Sequence, residues 1–208
     1  MVQTLWLRGE FDMKKLFAML LAVVISTVMM TGCSILRKDA ASPKAMTFQL
    51  ENSTLTVAVP FPMTDGNMEG HFGDAAPYIR QHLMKTSEND EMVIMIFGFD
   101  YDKRKIEREY DIIFEPDLEG GLHGAVGNLK NVQHTNAVED VNINGLHGKE
   151  ITGTVKIKFS GDNSLSLANF RMMAFAKGAE FWMVGVVRKP NNNTLAISSK
   201  VFKSIKLR

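Results

Sequence analysis

Few residues in this chain of 208 could do chemistry. There is one cysteine, Cys33, and five histidines, His71, His82, His123, His134 and His147. No histidine pair has the HExxH form, none is spaced four apart on an expected helix, and no second cysteine could complete a thiolate metal site. His71, with Asp65, Glu69 and Asp74, is the one grouping that could form a loop metal site, but hydrated loop residues explain it as well, so no metal or cofactor is expected. Gly121, Gly124 and Gly127 echo a nucleotide loop faintly. They lack the G-x-G turn, a preceding parallel strand and a Walker lysine. No G-x-S-x-G occurs, and Ser, His and Asp follow no recognised hydrolase order. No catalytic residue is assigned, and the chain is expected not to be an enzyme. Nine methionines follow Cys33. Met92, Met95, Met172 and Met173 fall in expected strands, where core filling is the ordinary role.

The most informative stretch is Met13 to Cys33. Lys14 and Lys15 precede an uncharged apolar run, Leu16 to Thr31, which ends in small residues and then Cys33. A secretory h-region is roughly 7–15 residues long, whereas a bilayer-spanning helix needs about 20. Met30-Thr31-Gly32-Cys33 resembles the bacterial lipobox, with Met where Leu is commonest. That resemblance implies cleavage between Gly32 and Cys33 and a diacylglycerol on the Cys33 sulfur. Two acyl chains hold a protein stably to a bilayer, where one holds it only marginally. The segment before Met13 carries Arg8 against Glu10 and Asp12, the wrong balance for a signal, so translation is expected to start at Met13.

Residues 1–33 therefore read as an N-terminal extension plus lipoprotein signal, residues 34–46 as a polar tether, and residues 47–208 as a single domain. Beyond Cys33 the chain carries 21 Lys+Arg and 21 Asp+Glu. That neutrality argues against nucleic acid as a partner. No internal disulfide can form.

The elements that would position any site read as follows. Residues 47–59 form a hairpin turning at Asn52-Ser53. Residues 74–86 form a helix, from Ala75, Ile79 and Leu83. Met92 to Phe99 is apolar on both faces, hence a central strand. The charged run 100–109 reads as a solvated turn and strand edge, and 110–114 as a short strand. Pro116 to Asn131 forms a Gly-rich helix, and Val132 to Val138 precedes a series of strands and turns. Asn144-Gly145 is a tight-turn signal, and Ser160–Asn163 and Lys177–Ala179 turn the chain again. The strand through Ile151, Val155 and Ile157 and the strand 165–176 follow from these turns. Phe181 to Val187 is a second central strand. Pro190-Asn191-Asn192-Asn193 caps the last helix, with Ile197, Val201, Phe202 and Ile205 on one face.

The fold class expected is α+β, an antiparallel sheet with helices on both faces. The runs Leu55–Pro60, Asn144–Gly153, Phe181–Val186 and Val201–Lys206 resemble PsbP/Mog1-like domains. That resemblance implies an α/β/α sandwich and an accessory or partner-binding role, and it carries no site residue across. The functional expectation is a membrane-tethered, non-enzymatic module of the cell envelope that binds an envelope protein. Ser34 lacks the aspartate character that favours inner-membrane retention, which points to the outer membrane in a diderm. The alternative is a small-ligand-binding or hydrolytic envelope protein with a site assembled from loops.

Overall fold

The computed structural model describes residues 43–66 and 73–208. Cys33, Gly32, the Met13 start, the signal segment and most of the tether lie outside the described residues, as do Glu69 and His71.

Two apolar strands form the centre, as their composition requires. β5 (Met92–Tyr101) is buried throughout, and β10 (Glu180–Arg188) is buried to its penultimate residue. They pair antiparallel, with Ile96 opposite Val184. Around them an antiparallel sheet of eight strands runs β3-β4-β5-β10-β9-β8-β6, with β7 also on β8. The outer members are β3 (Thr64–Asp65), β4 (Ile79–Glu88), β6 (Val132–Thr135), β7 (Glu139–Ile143), β8 (Leu146–Ile157) and β9 (Ser166–Lys177). The β7–β8 turn is Asn144-Gly145, both with positive φ (54° and 81°), the backbone an Asn-Gly hairpin turn demands.

One face of this sheet packs against α1 (Lys103–Tyr110) and α2 (Leu118–Gly127), through Ile106, Leu122, Ala125 and Val126. The opposite face packs against α3 (Asn192–Lys203) and a second sheet, β1-β2-β11, built from Lys44–Gln49, Thr54–Val59 and Lys206–Leu207. Trp182, Val184 and Val186 share that core with Leu55, Val57, Val201 and Phe202. Helices cover both faces, as expected. The small sheet is an addition that alternation alone did not distinguish from the main one. β1 begins at Lys44, paired with Val59, three residues before the hairpin was expected to start.

Three local expectations are corrected. Residues 74–86 are not a helix: a 3-10 turn at Gly73–Tyr78 leads into strand β4. The i, i+4 spacing of Ala75, Ile79 and Leu83 is real, but backbone pairing with the fully buried β5 overrides it. The charged run is the helix α1, not a strand edge; the Asp102 carboxylate accepts from the Lys105 N–H at 3.0 Å, and only Ile106 is buried. Residues 110–114 form no strand. Asp111 ends α1 in the left-handed region (φ 53°), and Phe114 plugs the core while Ile113 is 87% exposed. Of the glycines of α2, Gly121 is explained by packing, since a Cβ there would lie 2.7 Å from the Phe181 ring, whereas one at Gly127 would meet nothing within 4 Å.

Candidate functional site

Two polar arrangements stand out. The first is a buried network where the β1–β2 turn crosses the start of β10. Glu180 is 1% exposed. One of its oxygens accepts from the Asn52 backbone N–H at 2.6 Å, and the other accepts from the Ser53 hydroxyl. Ser53 Oγ in turn accepts from Trp182 Nε1 at 2.7 Å. Directly across from Glu180 on β5 lies Asp100, with no solvent exposure. Arg80 Nη2 reaches Asp100 Oδ1 at 3.0 Å and Glu51 Oε2 at 3.5 Å. The hydrogen bond to Asp100 holds the Arg80 guanidinium above its ordinary pKa, against the opposing effect of burial. Asp100 Oδ2 has no hydrogen-bond partner among the described residues.

Gln49, Leu50, Glu51, Arg80 and Gln81 line an open depression above this cluster. Its chemistry is positional. The Ser53 proton is committed to Glu180, and its lone pair receives the indole N–H. Buried carboxylates bonded this way fix a turn against a sheet, because leaving either group unpaired would be costly. Sequence reading missed the network entirely, since Ser53 and Glu180 are 127 residues apart. The one available signal was an acid at the very start of an apolar run.

The second arrangement is the uncovered part of the main sheet beside α3. β8 alternates buried Ile151, Val155 and Ile157 with half-buried Thr152 and Thr154 and exposed Lys156. On the same face β9 presents Leu167, Asn169 and Arg171, opposite Lys156, Thr154 and Thr152. Arg171 binds the Glu150 carboxylate through Nε at 2.9 Å and Nη2 at 2.7 Å, and lies 4.5 Å from the centre of the Phe202 ring. That contact orients α3. Leu195, Ser199 and Phe202, at i, i+4 and i+7, lie along the flank overlooking β9, with Lys203 one turn beyond Ser199. Leu167 is 50% exposed and Leu195 51%. A helix is about 10–12 Å across with its side chains, so α3 rises as a wall beside this floor. The β7–β8 hairpin closes one end, where Asn144 Nδ2 donates to the carbonyls of Lys203 and Ile205, each at 3.0 Å.

The four histidines among the described residues are dispersed. His123 lies 3.9 Å from Glu119 on α2, His134 bonds Asn136 at 3.0 Å on β6, His147 faces Asn142 at 3.4 Å on β8, and His82 lies on β4. Asp65, from the considered loop metal site, is ion-paired with Lys85. Among the described residues no three His, Cys, Asp or Glu side chains gather to hold a metal ion. Nor is any helix among them long and apolar enough to cross a membrane.

No family model matches the chain, and no curated protein matches it. Solved structures do. LpqN, involved in cell envelope biogenesis of Mycobacterium tuberculosis, is similar at 12% identity and a TM-score of 0.40, over 79% of this chain and 90% of LpqN. Cyanobacterial PsbP (CyanoP) from Synechocystis sp. PCC 6803 is similar at 8% identity and a TM-score of 0.42, over 86% of this chain and 99% of that protein. By its own elements the described chain is an α+β protein of mostly antiparallel sheet with three helices, and a PsbP stands among the structures it is similar to.

Proposed function

We propose that the chain is a non-enzymatic, partner-binding lipoprotein module of the cell envelope, held to a membrane by acyl chains on Cys33. The observation that carries the binding role is the uncovered sheet face beside α3. A half-covered sheet normally presents small and charged residues to water. This one presents half-exposed Leu167, and the adjoining helix α3 adds half-exposed Leu195. The anchoring role rests on the apolar run and small-residue junction that end at Cys33. In this reading the Ser53–Glu180–Trp182 network is structural, and the face does the work.

The test is metabolic labelling with a clickable palmitate, followed by membrane fractionation, on the wild type and Cys33→Ala. Label in the membrane fraction of the wild type, lost from both label and membrane in the variant, is the expected result. An unlabelled chain recovered with cytosol would overturn the anchored reading.

A further inference from the structure

From the way the β7–β8 turn sits on the end of α3, we infer that Asn144 is a deamidation site, closed while the hairpin is docked and open when it lifts. This chemistry is independent of the binding and anchoring roles proposed above.

Asn144-Gly145 is the one Asn-Gly pair in the chain. Asparagine is among the chemically labile residues. Before a glycine it is most so, because no side chain obstructs attack by the glycine backbone nitrogen on the asparagine Cγ. An N–Cγ bond forms, the Cγ–Nδ2 bond breaks, and ammonia leaves with the glycine N–H proton. Water then opens the cyclic imide on either side, giving aspartate or isoaspartate. Water is the only co-reactant. Both residues are exposed, and nothing lies within 4 Å of where a Gly145 Cβ would stand.

The folded hairpin engages both reacting groups elsewhere. The Gly145 N–H, the nucleophile, donates to Asn142 Oδ1 at 3.0 Å. Asn144 Nδ2, the leaving group, donates to the carbonyls of Lys203 and Ile205, each at 3.0 Å. A helix end leaves carbonyls without intrahelical partners, and Asn144 supplies two hydrogens there. Reaction therefore requires the turn to lift from α3.

Deamidation would reverse this contact. A carboxylate has no hydrogen to donate, so oxygen would meet oxygen at both carbonyls, beside the negative end of the α3 dipole. Lys200, Lys203 and Lys206 are exposed, so solvent weakens their attraction for the new charge, whereas the two carbonyls touch it. Val141, Ile143 and Leu146 pack, partly buried, against the core beneath α3. A hairpin that can no longer dock uncovers them.

The test holds the full-length chain in mildly alkaline buffer, folded and in parallel in urea, and follows position 144 by peptide mapping with mass spectrometry. Aspartate and isoaspartate should accumulate at least about tenfold more slowly in the folded chain. Asn142→Ala frees the Gly145 N–H and should raise the folded-state rate about fivefold, the population change that one lost hydrogen bond produces. Asn144→Asp should show about tenfold faster amide exchange over Val141–His147, with β10 still protected. Asn144→Gly accepts the same φ and adds no charge, so its gain should be smaller. No deamidation in urea would overturn the site itself. Equal rates folded and unfolded, or Asn142→Ala no faster than the wild type, would overturn its closure by docking. Exchange in Asn144→Asp no faster than in the wild type or in Asn144→Gly would overturn release of the hairpin by the new charge.

Discussion

Replacing Ser53 by alanine should cost far more than a surface hydroxyl normally does. The side chain is 4% exposed and bridges two buried groups, donating to Glu180 and accepting from Trp182 Nε1 at 2.7 Å. Its removal leaves an indole N–H and a carboxylate oxygen without partners. An orphaned buried neutral donor costs about 1–3 kcal/mol, and a hydrogen bond to a charged group contributes about 1.5–3 kcal/mol. The expected loss is roughly 3–5 kcal/mol, a large part of a typical domain's ~5–15 kcal/mol. With a urea m-value of about 2 kcal/mol/M, the unfolding midpoint should fall by roughly 2 M. Trp182 lies inside the network, so its emission should report both the transition and the altered polarity around the ring. Ser53→Ala combined with Trp182→Phe removes the donor with the acceptor. The double variant should lose less than the sum of the single losses, because the N–H orphaned in the first case is absent in the second. A loss below about 1 kcal/mol for Ser53→Ala, or strict additivity with Trp182→Phe, would refute the claim that this turn is locked by a buried chain of hydrogen bonds.

Two further perturbations probe other parts of the fold. A methyl at Gly153 would collide with the His134 carbonyl and the Phe170 ring, so Gly153→Ala should destabilise by about 1–3 kcal/mol and release β6 from β8, seen as faster amide exchange at Val132–Thr135. Asp162 is held below its ordinary pKa, chiefly by a hydrogen bond from Lys189 and then by one from Ser166. A lowered carboxyl contributes stability that is present above the unfolded value near ~3.9 and is lost as the pH falls through the folded value. Asp162→Asn should therefore be less stable than the wild type at neutral pH, with the gap closing in acid below about pH 4 in parallel melting curves.

Where the sequence spoke clearly, it spoke through burial. Met92–Phe99 and Phe181–Val187 could only be central strands, because no solvated face can be drawn on them, and both are buried along that length. Thr152, Thr154 and Lys156 marked in advance the half-covered face of β8. The failures came where pairing, not composition, decides. Ile79 and Leu83 fit a helix on spacing, yet β4 is held by β5, and the residues that bury are Met84, Thr86 and Ser87. α1 has one buried side chain, so its apolar stripe was too thin to read among charges, and Asp102 was its only clear mark. The Glu180 network and the corner beside α3 were illegible for another reason. Each joins residues far apart in the chain, and neither follows a spacing that local periodicity could reveal.

The pairing of β5 with β10 also bears on how the molecule is assembled. β4 and β5 are joined by a short turn, and β8, β9 and β10 form a consecutive meander, so each group can close over short loops. The seam between the two groups instead joins residues 92–100 to residues 180–188. Long-separation pairing carries a loop-closure penalty that contacts must later repay. The most deeply buried interface is thus expected to be the last to zip during folding, and a chain stalled before that step would hold two uncapped apolar strands facing water, a hazard for self-association.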